Sequence, residues 1–259
     1  MNNLQAFGFS FERGGVHTSR TMMLDELRTL LSTVADQEAA KADYLEAIQT
    51  ANCLGKRSGK TRLLTFRHLA DLYGLDPNLL LFRALRFLWN RDEAGQPLLA
   101  LLCAYARDPI LRSTAPLILK KPPGSHVTRE DVETHIDHQE PGRFSAATLK
   151  STAQNINSTW TQAGLLTGRA RKFRIQPTVT AGAVAYALLL AHVTGQRGEH
   201  LFSNEYMALL DCSHEQALTL AEDASRRGWI VLKRIGKVIE VQFPALLTAE
   251  DQDRLREQN

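Results

Sequence analysis

Apolar residues recur at helical spacing along most of this 259-residue chain. Four leucines between residues 24 and 31 share one face of a helix, and Thr21 is the predicted N-cap before them. Short connections marked by glycine or proline separate such segments, which is typical of an all-α arrangement. The helices predicted in the first half of the chain cover residues 22–34, 39–52, 65–72, 76–89, 98–107 and 110–119.

The second half of the chain adds strand patterns to the helical ones. Two β-branched runs, residues 229–232 and 238–243, flank a polar turn and predict a β-hairpin near the C-terminus. Another short strand is predicted at residues 172–176, and the polar tail 249–259 is either a short helix or a frayed end. The predicted helices cover residues 128–138, 146–163, 181–194, 203–210 and 213–227, with N-caps at Thr128, Ser145, Ser203 and Ser213.

The run Pro122-Pro123-Gly124 is the strongest break in the chain and predicts a domain boundary. We expect an N-terminal helical domain (1–121), a helix-turn-helix-like domain with a basic segment (122–195) and a winged-helix-like C-terminal domain (196–259). The predicted fold class is mainly α, a helical bundle with helix-turn-helix or winged-helix-like domains and a small C-terminal β-hairpin. The first 20 residues, rich in Phe and Gly, predict a docked arm or a short strand.

Charge is distributed unevenly along the chain. Residues 141–198 contain no Asp or Glu in 58 positions and seven Lys or Arg, while the whole chain has a net charge of only +3. The part of this stretch at 181–193 is acid-free because it is an apolar helix, so the informative segment is 143–174. A basic surface without carboxylates is typical of a site that meets a polyanion.

The predicted helix 146–163 carries an apolar stripe at spacings of four and three, with amides and hydroxyls opposite. Asn, Ser and Thr disfavour helix relative to Glu and Lys, so their use on a surface indicates a function. Such groups hydrogen-bond base edges and phosphates in DNA. The alternative is a polar face buried against another domain.

The order of a short helix, a turn, this helix and a basic segment is that of a helix-turn-helix followed by a basic wing. The C-terminal unit repeats the plan, but Glu215, Glu222 and Asp223 would repel phosphates from its second helix. This unit is therefore expected to dock on protein, with phosphate contact only at its hairpin.

The segment from Gly55 to Thr61 resembles a P-loop but lacks the motif's spacing, because Leu54 stands where the first glycine is required. The alternatives are a second basic patch that contacts phosphate and a solvated helix start. The predicted DNA-contacting residues are Lys56, Arg57, Lys60, Thr61, Arg62, Arg143, Lys150, Ser151, Gln154, Asn155, Ser158, Arg169, Arg171, Lys172 and Arg174, with Lys233, Arg234 and Lys237 as further contacts from the C-terminal hairpin.

Other site chemistries find little support in the sequence. His135 and His138 have a spacing that some metal sites use, but no cysteine lies near them, so no metal or other cofactor is expected. Hydrolase and kinase signatures are absent, which argues against an enzyme. Three cysteines, no secretory pattern and no apolar run of 18 residues predict a reduced, cytoplasmic protein without a membrane partner.

Several short segments resemble the BrxA-like proteins of bacterial BREX phage-exclusion systems. They are Phe9-Ser10-Phe11 with Gly14-Gly15, Asn52-x-Leu54-Gly55-Lys56-Arg57-Ser58 with Thr61 and Arg62, residues 98–111, Val127-Thr128-Arg129-Glu130, and Ser145-x-x-Thr148-Leu149 leading to Ala163-Gly164-Leu165-Leu166. The resemblance covers residues 7–180, and a winged-helix-like C-terminus after residue 195 departs from it. It implies a small helical protein that binds DNA beside defence partners, with roles for Lys56, Arg57, Thr61 and the helix from Ser145, and no catalytic residues.

The expected function is a non-enzymatic accessory component of an anti-phage system that binds double-stranded DNA with weak sequence selectivity. Lys and Arg side chains would neutralise phosphates, so binding would be salt-sensitive. Two alternatives remain open. One is a scaffold that holds other defence-system proteins together without touching DNA. The other is a transcriptional regulator of its own operon, which would need a specific operator.

Overall fold

A computed structural model describes residues 2–12, 14–236 and 238–257 of the chain. The protein is mainly helical, with a two-stranded antiparallel hairpin near the C-terminus, as the sequence predicts. The helices are α1 Asn2–Ala6, α2 Leu24–Thr33, α3 Lys41–Gln49, α4 Gly59–Tyr73, α5 Leu80–Trp89, α6 Gln96–Arg107, α7 Pro109–Leu119, α8 Arg129–Gln139, α9 Ala146–Gln162, α10 Ala181–Val193, α11 Glu205–Ala208, α12 His214–Arg226 and α13 Ala249–Arg256. The strands are β1 His126–Val127, β2 Leu166–Thr167, β3 Lys172–Arg174, β4 Val231–Ile235 and β5 Val238–Gln242.

Helix α6 is the centre of the N-terminal half, since every residue from Leu98 to Ala106 is buried. It packs on α4, α5, α7 and α10, so it needs no polar face. The N-terminal segment docks on this core, with the Phe7 ring buried and the Ser10 amide donating to the Ala106 carbonyl at 3.2 Å. Of the two predictions for this segment, the docked arm is confirmed.

The middle of the chain has the element order of a winged helix and is here called the first winged helix. Helix α7 is followed in order by β1, α8, α9, β2 and β3, and the strands form an antiparallel sheet in the order β1-β3-β2. Val127 of β1 pairs with Lys172, and Thr167 of β2 pairs with Phe173. Helices α8 and α9 pack on each other and are the helix-turn-helix pair. Residues 168–171, which join β2 and β3, are here called the first wing.

The C-terminal part has a similar helix order with α10, α11, α12 and the β4–β5 hairpin, here called the second wing, and the sheet described there has two strands instead of three. Helix α10 is apolar on all sides because α5, α6, α11 and α12 surround it. In the described residues, no helix has the length and apolar character needed to span a bilayer.

Four predicted helix starts were wrong at places where a local side-chain bond or a left-handed residue precedes the helix. The Ser58 hydroxyl accepts from the Thr61 amide at 3.1 Å, so α4 begins at Gly59 rather than residue 65. Helix α2 begins after Met23, whose backbone is left-handed, so Thr21 is not its cap. An Asp76 side-chain turn delays α5 to Leu80, and Asn204 rather than Ser203 caps α11.

Candidate nucleic-acid interface

An open groove of about 570 Å³ lies between α9, the N-terminus of α8 and the first wing. Its walls bring together side chains from three elements that are far apart in the sequence. The polar and charged lining residues are His126, Thr128, Arg129, Glu130, Gln154, Asn157, Ser158, Arg169, Arg171 and Lys172. Five of them, Gln154, Ser158, Arg169, Arg171 and Lys172, belong to the predicted DNA-contacting set, and each faces solvent at least in part.

Helix α9 is held in place by its cap and by its apolar stripe. The Ser145 hydroxyl accepts from the Thr148 amide at 3.2 Å, as predicted for an N-cap. Ile156 and Trp160 are fully buried, and the Trp160 indole donates to the Thr114 hydroxyl of α7 at 3.2 Å. Because this face is fixed against α7, the opposite face of α9 has a defined direction.

That polar face divides into two stripes. One is occupied by the N-terminal segment: the Asn155 amide donates to the His17 carbonyl at 3.0 Å, and the Gln162 side chain accepts from the Leu24 amide at 3.2 Å. Asn155 therefore contacts the N-terminal segment, and the prediction that it contacts DNA was wrong. This stripe matches the alternative prediction of a polar face packed against another part of the protein. The Ser151 hydroxyl donates to the Thr148 carbonyl within the helix.

The second stripe consists of Lys150, Gln154 and Ser158, each about one helical turn after the one before it. Lys150 and Gln154 are exposed, and Ser158 is half-buried beside the groove. The neighbouring Asn157 is only 6% exposed, and its carboxamide oxygen has no hydrogen-bond partner among the described residues. Buried polar atoms are normally satisfied, so this unpartnered oxygen is an exception beneath the groove floor.

The first wing presents two arginines across the groove from this stripe. Arg169 and Arg171 are both exposed. The Lys172 ammonium instead donates to the Gly168 carbonyl at 2.6 Å, and burial lowers the pKa of this lysine. Gly168 has a φ of 97°, and a Cβ there would lie 2.0 Å from the Arg171 carbonyl oxygen. Only glycine allows this turn to close as it does.

Arg174 was wrongly predicted to contact DNA, because its side chain is completely buried. Its guanidinium donates to the carbonyls of Ile118 and Leu165, each at 3.2 Å, and pairs with Asp211 at 2.7 Å. Arg143 lies outside the groove, in an ion pair with Glu140 at 2.5 Å and with its guanidinium over the Phe144 ring. The basic segment thus contributes fewer accessible cations than its composition suggests.

The predicted patch around the start of α4 does not line the groove. Lys56 pairs with Glu26 at 3.0 Å, and Arg62 donates to the Gln49 carbonyl at 2.9 Å. The Thr61 hydroxyl is hydrogen-bonded to the Ser58 hydroxyl that caps α4. Arg57 and Lys60 are the two cations of this patch that are exposed and form no ion pair or side-chain hydrogen bond in the described structure. Helix α3, not a strand, precedes the segment.

The second wing differs in chemistry from the first. Strand β4 extends to Ile235, so Lys233 and Arg234 are exposed strand residues rather than turn residues. Lys237 lies outside the described residues. At the end of the hairpin, Ile235 is 83% exposed and Val238 is 72% exposed.

A buried network that the sequence did not reveal supports α9 from the other side. His17 Nδ1 lies 2.8 Å from an Asp108 carboxylate oxygen, and His17 Nε2 lies 3.0 Å from the Thr159 hydroxyl. Burial opposes ionisation of Asp108, but the His17 ring and the backbone amides of Leu111 and His17 outweigh it and lower the pKa of this carboxyl. The three side chains are at most 2% exposed, so they position α9 and are closed to a substrate.

The His135 ring is bonded to the Ser113 carbonyl at 2.7 Å. Among the described residues, no group of three His, Cys, Asp or Glu side chains is placed to hold a metal ion.

No protein-family model matches this chain, and no curated protein matches its sequence.

Proposed function

We propose that this protein binds double-stranded DNA through α9 and the first wing. The observation that carries the proposal is the groove itself. It sets Gln154 and Ser158 of α9 opposite the exposed Arg169 and Arg171, on a winged-helix framework. Lys150 lies one helical turn before Gln154, beyond the groove lining. A helix fits the major groove of B-DNA, which is about 12 Å wide, and the adjacent wing then lies along the phosphate backbone.

The two walls of the groove have different tasks in this proposal. Arg169 and Arg171 neutralise phosphates and fix the register of the protein on the duplex. The Gln154 amide hydrogen-bonds the edge of adenine. So few base-reading groups give weak sequence selectivity, and most of the affinity comes from charge.

Glu130 opposes DNA binding at the same groove. Its carboxylate pairs with Arg129 at 2.6 Å but remains exposed. A carboxylate close to a bound phosphate repels it, so Glu130→Gln is expected to tighten duplex binding by about twofold to fivefold at low salt. Arg129 keeps its second ion pair, with Glu133 at 2.7 Å, in this variant.

Charge reversal tests the proposal. Fluorescence anisotropy would measure the affinity of the wild type and of Arg169→Glu/Arg171→Glu for a labelled duplex of about 20 base pairs. We expect the double variant to bind at least about tenfold more weakly, a loss of about 1.4 kcal/mol. Arg226→Glu/Arg256→Glu makes the same change in net charge at exposed positions outside the groove and is the matched control. Equal losses in the two variants would contradict a localised interface.

We also propose that DNA binding serves a BREX-like anti-phage system in the cytoplasm. The support is the local sequence resemblance described above. Phage plaque counts would compare cells in which such a system carries the wild type or Arg169→Glu/Arg171→Glu. If the double variant protected cells from phage as well as the wild type does at equal protein level, the defence role would not depend on DNA binding.

A protein scaffold is the second candidate, and it concerns the C-terminal winged helix. The acidic outer face of α12 and the apolar end of the second wing favour protein contact over DNA contact there. The two candidates occupy different surfaces, so they are compatible.

A further inference from the structure

The end of the second wing is an exposed apolar knob. Ile235 and Val238 pair across the hairpin and are 83% and 72% exposed, more than the other large apolar side chains described as exposed. Lys233 and Arg234 precede Ile235 on β4, and Lys233 lies opposite the exposed Glu240 of β5, which leaves one net positive charge among these three side chains. Removing apolar surface from water is favourable by about 25 cal/mol per Å², so an exposed apolar knob of this kind favours association with another protein surface.

The same unit contains a shallow groove with complementary features. It has a volume of about 400 Å³ and lies between α11 and the N-terminus of α12. Phe202, Met207 and Ala217 supply apolar surface, and Ala208 is exposed at its edge. Glu205 lines the groove and Glu215 follows it along α12, so its rim is acidic where the knob is basic.

We propose that two copies of this chain form a two-fold dimer in which the second wing of each copy inserts into the α11–α12 groove of the other. The charges of knob and rim are opposite, and the groove is large enough for a branched aliphatic side chain. Both features belong to one unit, so one rotation satisfies both contacts and closes the assembly.

Both the groove and the base of the second wing contact helix α12. The groove lies at its N-terminus, whereas the second wing is fixed to its C-terminal half by the bond from the Leu232 amide to the Ser225 hydroxyl at 3.1 Å. Strand β5 of the second wing packs against residues 198–202, which lead into the groove.

The dimer leaves the first wing and its groove free, so it does not depend on the DNA proposal. It gives the DNA interface a two-fold arrangement, which suits two half-sites on one duplex.

Sedimentation velocity over a concentration series tests the dimer. We expect wild-type protein to sediment as a concentration-dependent dimer, and Ile235→Asp and Ala208→Arg each to sediment as monomers. Both positions are exposed, and circular dichroism would check that each variant keeps its helices. Leu63→Asp, an exposed apolar position on α4, is the control and is expected to leave the dimer intact.

Mixing the two monomeric variants gives the decisive result. The Ile235→Asp copy retains its groove and the Ala208→Arg copy retains its knob, so the mixture is expected to recover dimer through one intact contact. A monomeric wild type, a dimer insensitive to either variant, or a mixture that stays monomeric would each overturn the proposal. Ile235→Asp is also expected to leave the affinity for a duplex with a single half-site unchanged.

Discussion

The Arg174 guanidinium and the Asp211 carboxylate lie 2.7 Å apart and join the last strand of the first winged helix to the turn before α12. Arg174 is completely buried, while the Asp211 side chain is 29% exposed. An arginine that appears in the sequence as part of a DNA-binding run is thus an internal connection between the two winged helices.

Replacing Arg174 is expected to change stability and not DNA contact. Arg174→Leu removes the donors that satisfy the Ile118 and Leu165 carbonyls and leaves Asp211 without its partner. The free energy of unfolding should fall by about 3 kcal/mol, measured by urea denaturation. Duplex affinity of the folded variant should match the wild type. A variant of normal stability that no longer binds DNA would contradict the buried role.

Thr159 is expected to matter through its hydroxyl. Thr159→Val preserves shape but removes the acceptor of the Met22 amide and the partner of His17 Nε2, both buried. Each buried polar group left without a hydrogen bond costs about 1–3 kcal/mol, so the free energy of unfolding should fall by at least about 2 kcal/mol. Thr159→Ser keeps the hydroxyl and should lose clearly less. Equal losses in Val and Ser would mean that packing, and not the hydrogen bonds, holds α9.

His192 is expected to make stability depend on pH. Burial, and then the charge of Arg197, lowers the pKa of its ring to about 4. The unfolded chain takes up this proton near pH 6.5 and the folded chain only near pH 4, so stability is lost as pH falls across that interval.

His192→Phe isolates that contribution, because the ring packs against Phe243 and Nδ1 has no partner among the described residues. Between pH 6.5 and pH 5 the wild type should lose about 1 kcal/mol more stability than the variant. Parallel curves for the two proteins in thermal or urea unfolding would refute this assignment.

Gly168 is expected to control the shape of the first wing. Its φ of 97° and the close Arg171 carbonyl leave no room for a Cβ, so Gly168→Ala must rearrange the turn that presents Arg169 and Arg171. Duplex affinity should fall by about threefold to tenfold, with a change in unfolding free energy of about 1–2 kcal/mol. Gly195→Ala is the control, since Gly195 has a φ of 93° and open space around it. Equal affinity losses in both variants would contradict a role for the wing.

The sequence predicted the features that depend on neighbouring residues. The Ser145 cap, the reciprocal Thr128 and Asp131 bonds and the apolar stripe of α9 all arise within one or a few helical turns. Periodicity and cap chemistry are local signals, and they placed α9 within one residue of its observed end.

Features formed by distant residues were not predictable in this way. Strand β1 has only two residues and exists because it pairs with β3 more than 40 positions later. The bond between His17 and Thr159 joins residues 142 positions apart, and the burial of Arg174 depends on α7 and on the turn before α12. The amino-acid composition gives the number of Lys and Arg side chains, but tertiary packing decides which of them are exposed.

The salt dependence of duplex binding tests the central claim most directly. Lys150, Arg169 and Arg171 together should give the wild type a slope of about −3 in log Kobs against log salt concentration, because each phosphate contact contributes about −0.9. Arg169→Ala/Arg171→Ala should reduce the slope to about −1. A wild-type slope near zero, or the same slope in both proteins, would contradict DNA binding through α9 and the first wing.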